Sequence, residues 1–157
     1  MDIKINKKKL QQLWNACSII SGLDLHPRLA YAVSRTKKLI ADDIDAFVEA
    51  SKPTLAYEAA IESLEKDHGI KNEKGAFVRI NGKIIPKDQD KYDQALKELK
   101  KTTGQKEREE EIEKLFTEEI SVKVHMVDIK YFPENIKGYL MDGLLPMVYD
   151  SDDQRTE

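Results

Sequence analysis

The chain has 157 residues, of which 40% are apolar, 35% charged and 7% aromatic, enough for one hydrophobic core but not two ordinary ones, and too apolar for a disordered chain. Its 26 basic and 29 acidic side chains leave a net charge of −3, which excludes a global attraction to phosphate backbones or anionic membranes. Any nucleic-acid role therefore needs a local patch.

A single cysteine, Cys17, permits no internal disulfide, and the start of the chain has no apolar signal core. No run approaches a membrane span, so a reducing cytoplasm, that of a bacterial host cell given the resemblance below, is the expected location.

Residues 2–5 alternate and predict a short strand. Asn6 suits the N-cap of a helix whose Leu10, Leu13, Trp14 and Cys17 share one face. Lys7, Lys8 and Lys9 then lie at the electropositive end of that helix, so packing of the Trp14 face has to outweigh them. Ser21 and Gly22 end the helix, and Pro27 suits the first turn of the next.

Residues 27–68 contain no glycine and one interrupting proline. Read as a continuous helix they would extend about 60 Å at about 1.5 Å per residue. Leu29, Val33, Ile40, Ile44 and Phe47 form an apolar stripe, resumed by Leu55, Ala59, Ile61 and Leu64. Pro53 should kink the helix or split it near Ser51. Gly69 is expected to close it in a left-handed conformation.

Asn81-Gly82 between two β-rich runs is the strongest local signal, a type I′ hairpin turn in which both residues accept positive φ. The register puts Val78, Ile80 and Ile85 on one face and Phe77 and Ile84 on the other. A lone hairpin is marginal in water, so it should pack on helices, another strand or a partner.

Asp88 or Asp90 suits the cap of a third helix running to about Glu118, whose polar middle around Gly104 is a solvated helix or a break. Residues 120–126 alternate as a strand with Ile120, Val122, Val124 and Met126 inward. Pro133 should start a short helix carrying Ile136, Tyr139, Leu140 and Leu144. These elements predict an α+β, mainly α fold: a long antiparallel helical hairpin with a β-hairpin at its tip and a small strand pair joining the two ends. Residues 1–150 would be one elongated domain and residues 151–157 a disordered acidic tail.

Signals for chemistry are sparse. His26, His68 and His125 lack metal-ligand spacing, and Asp42, Asp43, Asp45 and Glu49 read best as a solvated face. Cys17 reads as a buried, inert thiol, and Gly82-Lys83 lacks the rest of a phosphate loop. No enzyme, metal or cofactor is expected. Arg28, Tyr31, Arg35 and Lys38 share a helix face and suit a nucleic-acid strand, although ion pairing with the third helix or a partner is favoured.

The opening MDIKINKKKLQQL, the segment HPRLAYAVSRTKKLIADDIDAF, the acidic third helix and the ending ISVKVHMVDIKYFPENIKGYLMDGLLPMV together resemble small uncharacterised proteins of tailed phages and prophages. The helix, hairpin, helix order is also similar to that of prefoldin-like proteins. The phage resemblance implies expression inside a bacterial cell and carries over no functional residues. The expected role is a non-enzymatic interaction module, self-associating and binding a host or phage protein. Phe77, Arg79, Ile84, Phe47 and Ile44 are its candidate partner-binding residues. Nucleic-acid binding through Arg28, Tyr31, Arg35 and Lys38 is the alternative, and no membrane partner is expected.

Overall fold

The computed structural model describes residues 1–152; of the tail expected over residues 151–157, Ser151 and Asp152 are placed, with the Ser151 hydroxyl accepting from the Lys130 ammonium, and residues 153–157 lie outside the described residues. The fold is α+β and mainly α. It divides into two compact units, Met1–Ala50 together with residues from Lys114 onward, and Ser51–Glu113. Among the described residues no helix is long and apolar enough to cross a membrane.

In the first unit, strand β1 (Asp2–Asn6) pairs antiparallel with β4 (Glu119–Lys123), Ile3 opposite Val122 and Ile5 opposite Ile120. The alternation read from the sequence holds: Ile5, Val122 and Val124 are buried while Lys4, Ser121 and Lys123 are exposed. Helix α1 (Lys7–Ile20) follows β1 directly. Its first turn is capped by the Asn6 side chain, which accepts the Lys9 backbone N–H at 2.8 Å. Leu10, Leu13, Ala16, Cys17 and Ile20 form its buried face.

Helix α2 (Pro27–Ala50) buries Leu29, Ala32, Val33, Thr36, Ile40, Ile44 and Phe47, the steps of three and four that keep a side chain on one face. Thr36, the polar member, is satisfied because its hydroxyl accepts the His125 backbone N–H at 3.0 Å. Helix α6 (Gly138–Leu144) closes over α1, and β5 (Val127–Asp128) pairs in parallel with β6 (Val148–Tyr149).

The second unit holds α3 (Leu55–His68), the hairpin β2 (Arg79–Ile80) and β3 (Lys83–Ile84), α4 (Gln89–Thr102) and the greater part of α5 (Gln105–Thr117). Helices α3 and α4 run antiparallel: the His68 ring meets the Tyr92 ring at 5.9 Å near the hairpin, and Tyr57 feels the charge of Lys100 at the other end. The hairpin turn is as expected, with Asn81 at φ 51° and Gly82 at φ 79°.

The alternatives left open at Pro53 and Gly104 are decided, and other expectations are corrected. At Pro53 the chain splits near Ser51, as one of the two readings had it: α2 stops at Ala50, and Thr54 starts α3 by accepting the Tyr57 N–H at 3.2 Å. Restarting after Pro53 resets the helical phase, so Leu55 is 83% exposed and Ala59 exposed, while Tyr57, Ile61 and Leu64 are half-buried. The third helix breaks at Gly104, whose φ of 70° is left-handed, just after the Thr102 and Thr103 hydroxyls have bonded back to Glu98 and Leu99 carbonyls. Within the second unit the antiparallel helical hairpin is α3 with α4.

Gly69 is extended, at φ −74° and ψ 145°, and not left-handed. Glycine is needed there because a Cβ would lie 2.7 Å from Phe77 Cδ1 and 2.8 Å from the Glu65 carbonyl oxygen. Pro133 lies in a turn, with the Ile136 N–H donating to its carbonyl at 3.3 Å, and the last helix begins only at Gly138. Ile136 already packs on the core from that turn.

At Gly143 a Cβ would meet Ala16 Cβ at 2.7 Å and the Gln12 carbonyl oxygen at 3.0 Å, so α1 and α6 touch nearly backbone to backbone. Gly143→Ala should destabilise by about 1–3 kcal/mol in urea unfolding, as overpacking does. Gly138→Ala, facing open space, should be neutral or add up to about 1 kcal/mol.

Candidate functional site

The residues nominated as partner-binding are largely structural. Ile44 is 4% and Phe47 5% exposed, and the Phe47 ring meets Phe116 edge-on at 4.7 Å. Ile84, on the second strand of the hairpin, is buried, and Phe77 is half-buried against Gly69 with the Lys71 ammonium over its ring. Arg79 donates to the Gly82 carbonyl at 2.9 Å and to the Glu65 carboxylate at 2.6 Å, tying the hairpin to α3. Ile80 is the hairpin's large exposed apolar side chain.

Arg28, Tyr31, Arg35 and Lys38 do share the outer, exposed face of α2. Among the described residues none of the three cations makes an ion pair with an acid of the first unit. Arg28 instead lies over the Tyr131 ring at 5.2 Å, and Tyr31 meets His125 edge-on at 5.1 Å. His26 caps the first turn of α2, its Nδ1 accepting the Arg28 N–H at 3.2 Å, and stacks on Tyr131 at 4.6 Å.

These contacts frame a groove of about 340 Å³ with Arg28, Tyr31, His125, Tyr131 and Tyr149 on its walls and Met126 and Val127 at its floor. His125, Tyr131 and Tyr149 lie some hundred residues beyond Arg28 in the chain, so no spacing rule reaches them.

Asp128 also lines this groove, with a side chain only 2% exposed. The Lys130 ammonium 2.7 Å away, then the Ser151 hydroxyl and the Lys130 backbone N–H, hold its carboxyl down at about 2 against the opposing effect of desolvation.

A second groove, of about 310 Å³, is mainly apolar and lies between the end of α1 and residues 133–140. Ile19, Leu23 and Tyr139 line it while remaining 49%, 55% and 61% exposed. Ile19 and Tyr139 continue into an adjoining depression with Gln12, Asn15 and Asp142. Ile19 and Tyr139 sit about 100° round their helices from the buried Ile20 and Leu140, and Leu23 lies just past the end of α1, so their exposure is compatible with the helical period, but their meeting in one groove depends on residues far apart in the chain.

Asp42, Asp43, Asp45 and Glu49 are exposed, as expected of a solvated face. Among the described residues no group of three or more His, Cys, Asp or Glu gathers to hold a metal ion. Cys17 is fully buried and its thiol is pushed up to about 12, first by desolvation, with Lys37 opposing.

Two outcomes follow from these environments. Cys17 should resist a thiol reagent at pH 8 in the native protein and react fully once it is unfolded in urea. Asp128, whose folded value lies below the unfolded value of about 3.9, stabilises the fold fully above about pH 4 and progressively less as pH falls towards 2. Melting temperatures recorded across that window should therefore fall less steeply for Asp128→Asn than for the wild type.

No protein-family model, curated protein or solved structure matches this chain, so what the two grooves do has to be argued from their own residues.

Proposed function

We propose that the protein is a non-enzymatic protein-interaction module, of the phage or prophage kind its sequence resembles, working in the cytoplasm of a bacterial cell. Its docking surface is the apolar groove beside the end of α1. Ile44, Phe47 and Ile84 belong to the interior, and the surface role passes to Ile19, Leu23 and Tyr139.

The observation that supports this reading is the convergence of those three large, half-exposed side chains on one concavity. Apolar surface left in water gains roughly 25 cal/mol per Å² when a partner covers it, and contiguous patches of this kind mark interaction sites. Asp24, Asn135 and Lys137 at the groove edge supply the polar rim that sets register without much affinity. The partner is a protein segment with apolar side chains at helical or extended spacing, from a second copy of this chain or from a host or phage protein.

Photo-crosslinking in bacterial cells tests it. A crosslinking amino acid at position 23 or 139 should give discrete protein adducts, whereas the same group at the exposed Lys8 should not. Leu23→Glu should abolish the adducts from position 139 with an unchanged circular dichroism spectrum. Adducts equal from all three positions, or none from 23 and 139, would count against the proposal.

A further inference from the structure

We infer that the aromatic groove at the start of α2 and the basic stripe leading to it bind single-stranded nucleic acid, a site separate from the apolar groove. Arg28, Arg35 and Lys38 lie on one exposed face, with Arg35 about 10 Å and Lys38 about 15 Å along the helix from Arg28. That length serves several phosphates of one strand, which are about 3.4 Å apart along the axis even in a stacked duplex. None of the three cations is neutralised by an acid of its unit among the described residues, so their charge stays available to a ligand.

The charge pattern along the helix bounds the path of the strand. Asp42 and Asp45 continue the same face by the same steps of four and three, and both are exposed. A phosphate backbone is repelled there. It therefore runs from Lys38 towards Arg28 and enters the groove.

Inside the groove the chemistry changes from charge to rings. Tyr31 is 58% and Tyr149 41% exposed, so both present open aromatic surface to which a base can stack. The carboxylate that would oppose a phosphate there, Asp128, is already bound by Lys130 at 2.7 Å. His26 stacked on Tyr131 holds that ring in place with Arg28 above it.

Cations spaced along a helix would attract an acidic peptide equally well, but a peptide carboxylate has no use for ring faces at the end of the stripe. A stripe of cations that ends on exposed tyrosines favours a ligand that carries phosphates and bases together. The overall charge of −3 confines the binding to this patch.

Fluorescence anisotropy on the full chain with a short labelled oligothymidylate, and separately with oligouridylate, tests the site. Three phosphate contacts predict a log affinity against log salt slope of about −2 between about 50 and 200 mM salt. Arg35→Ala should weaken binding several-fold and make the slope shallower by about 0.7. Tyr31→Ala should weaken it about tenfold at unchanged slope, and Tyr31→Phe should keep wild-type affinity. Binding of either oligonucleotide in this pattern supports the site and tells whether DNA, RNA or both are taken.

The site is overturned by no saturable binding of either oligonucleotide at about 50 mM salt, by equal competition by polyglutamate of matched charge, or by Tyr31→Ala binding like wild type. Lys8→Ala, on another element, should change nothing, and a loss equal to that of Arg35→Ala would mean diffuse attraction and overturn the site as well.

Discussion

The register of β1 on β4 is the constraint from which the first unit follows. Slipping β1 by one residue would turn Ile3 and Ile5 to the solvent side while Val122 and Val124 stayed inward, because strand side chains alternate. The strand runs straight into α1, with Asn6 serving both as the last paired residue and as the cap. The register therefore also sets where α1 begins and which way Leu10, Leu13 and Cys17 face. The lysines at the electropositive end are answered at the same corner: Lys7 is 2.7 Å from the Glu118 carboxylate, and its backbone N–H reaches the Glu118 carbonyl at 3.2 Å.

The second unit is held differently. Among its described residues Ile84 is the one buried large apolar side chain, while Tyr57, Leu64, Tyr92 and Leu96 are only half-buried. Desolvation nonetheless raises the phenol pKa of both Tyr57 and Tyr92, consistent with rings partly shielded between α3 and α4. With so little dry interior, caps and turns matter more. The break before α3 and the break before α5 are fastened to each other. The Thr54 N–H donates to Gln105 Oε1 at 2.9 Å, its hydroxyl to the Thr103 carbonyl at 3.1 Å, and Arg108 Nε to the Lys52 carbonyl. Gln105 is buried for that reason and is a polar residue with its partners in place.

Both grooves of the first unit draw one wall from the early helices and the other from residues 125–149. They differ in what they offer a ligand. One exposes aliphatic and ring carbon with a thin polar rim, and the other presents tyrosine faces beside Arg28, where the basic stripe of α2 ends. Each is mounted on elements whose opposite faces are core: Ile20 behind Ile19, Leu29 behind Arg28 and Leu140 behind Tyr139. A site built on packed helices keeps its geometry better than one built on a loop.

Local chemistry made much of this fold legible in advance. The Asn6 cap, the cap of α4 at one of the two candidates, Asp88, which accepts the Lys91 N–H at 3.1 Å, the Asn81-Gly82 turn, the alternation of residues 120–126 and the interruption at Pro53 each depend on a few neighbouring residues, and a short stretch of chain determines such features by itself. What tertiary structure decided is the choice of surface. The phase of α3 after the break, the need for Gly69 beside Phe77, the burial of Ile44, Phe47 and Ile84, and the meeting of Arg28 with Tyr131 all depend on groups distant in sequence. The same apolar side chain is core or docking surface according to what packs against it, and that is settled only when the chain closes on itself.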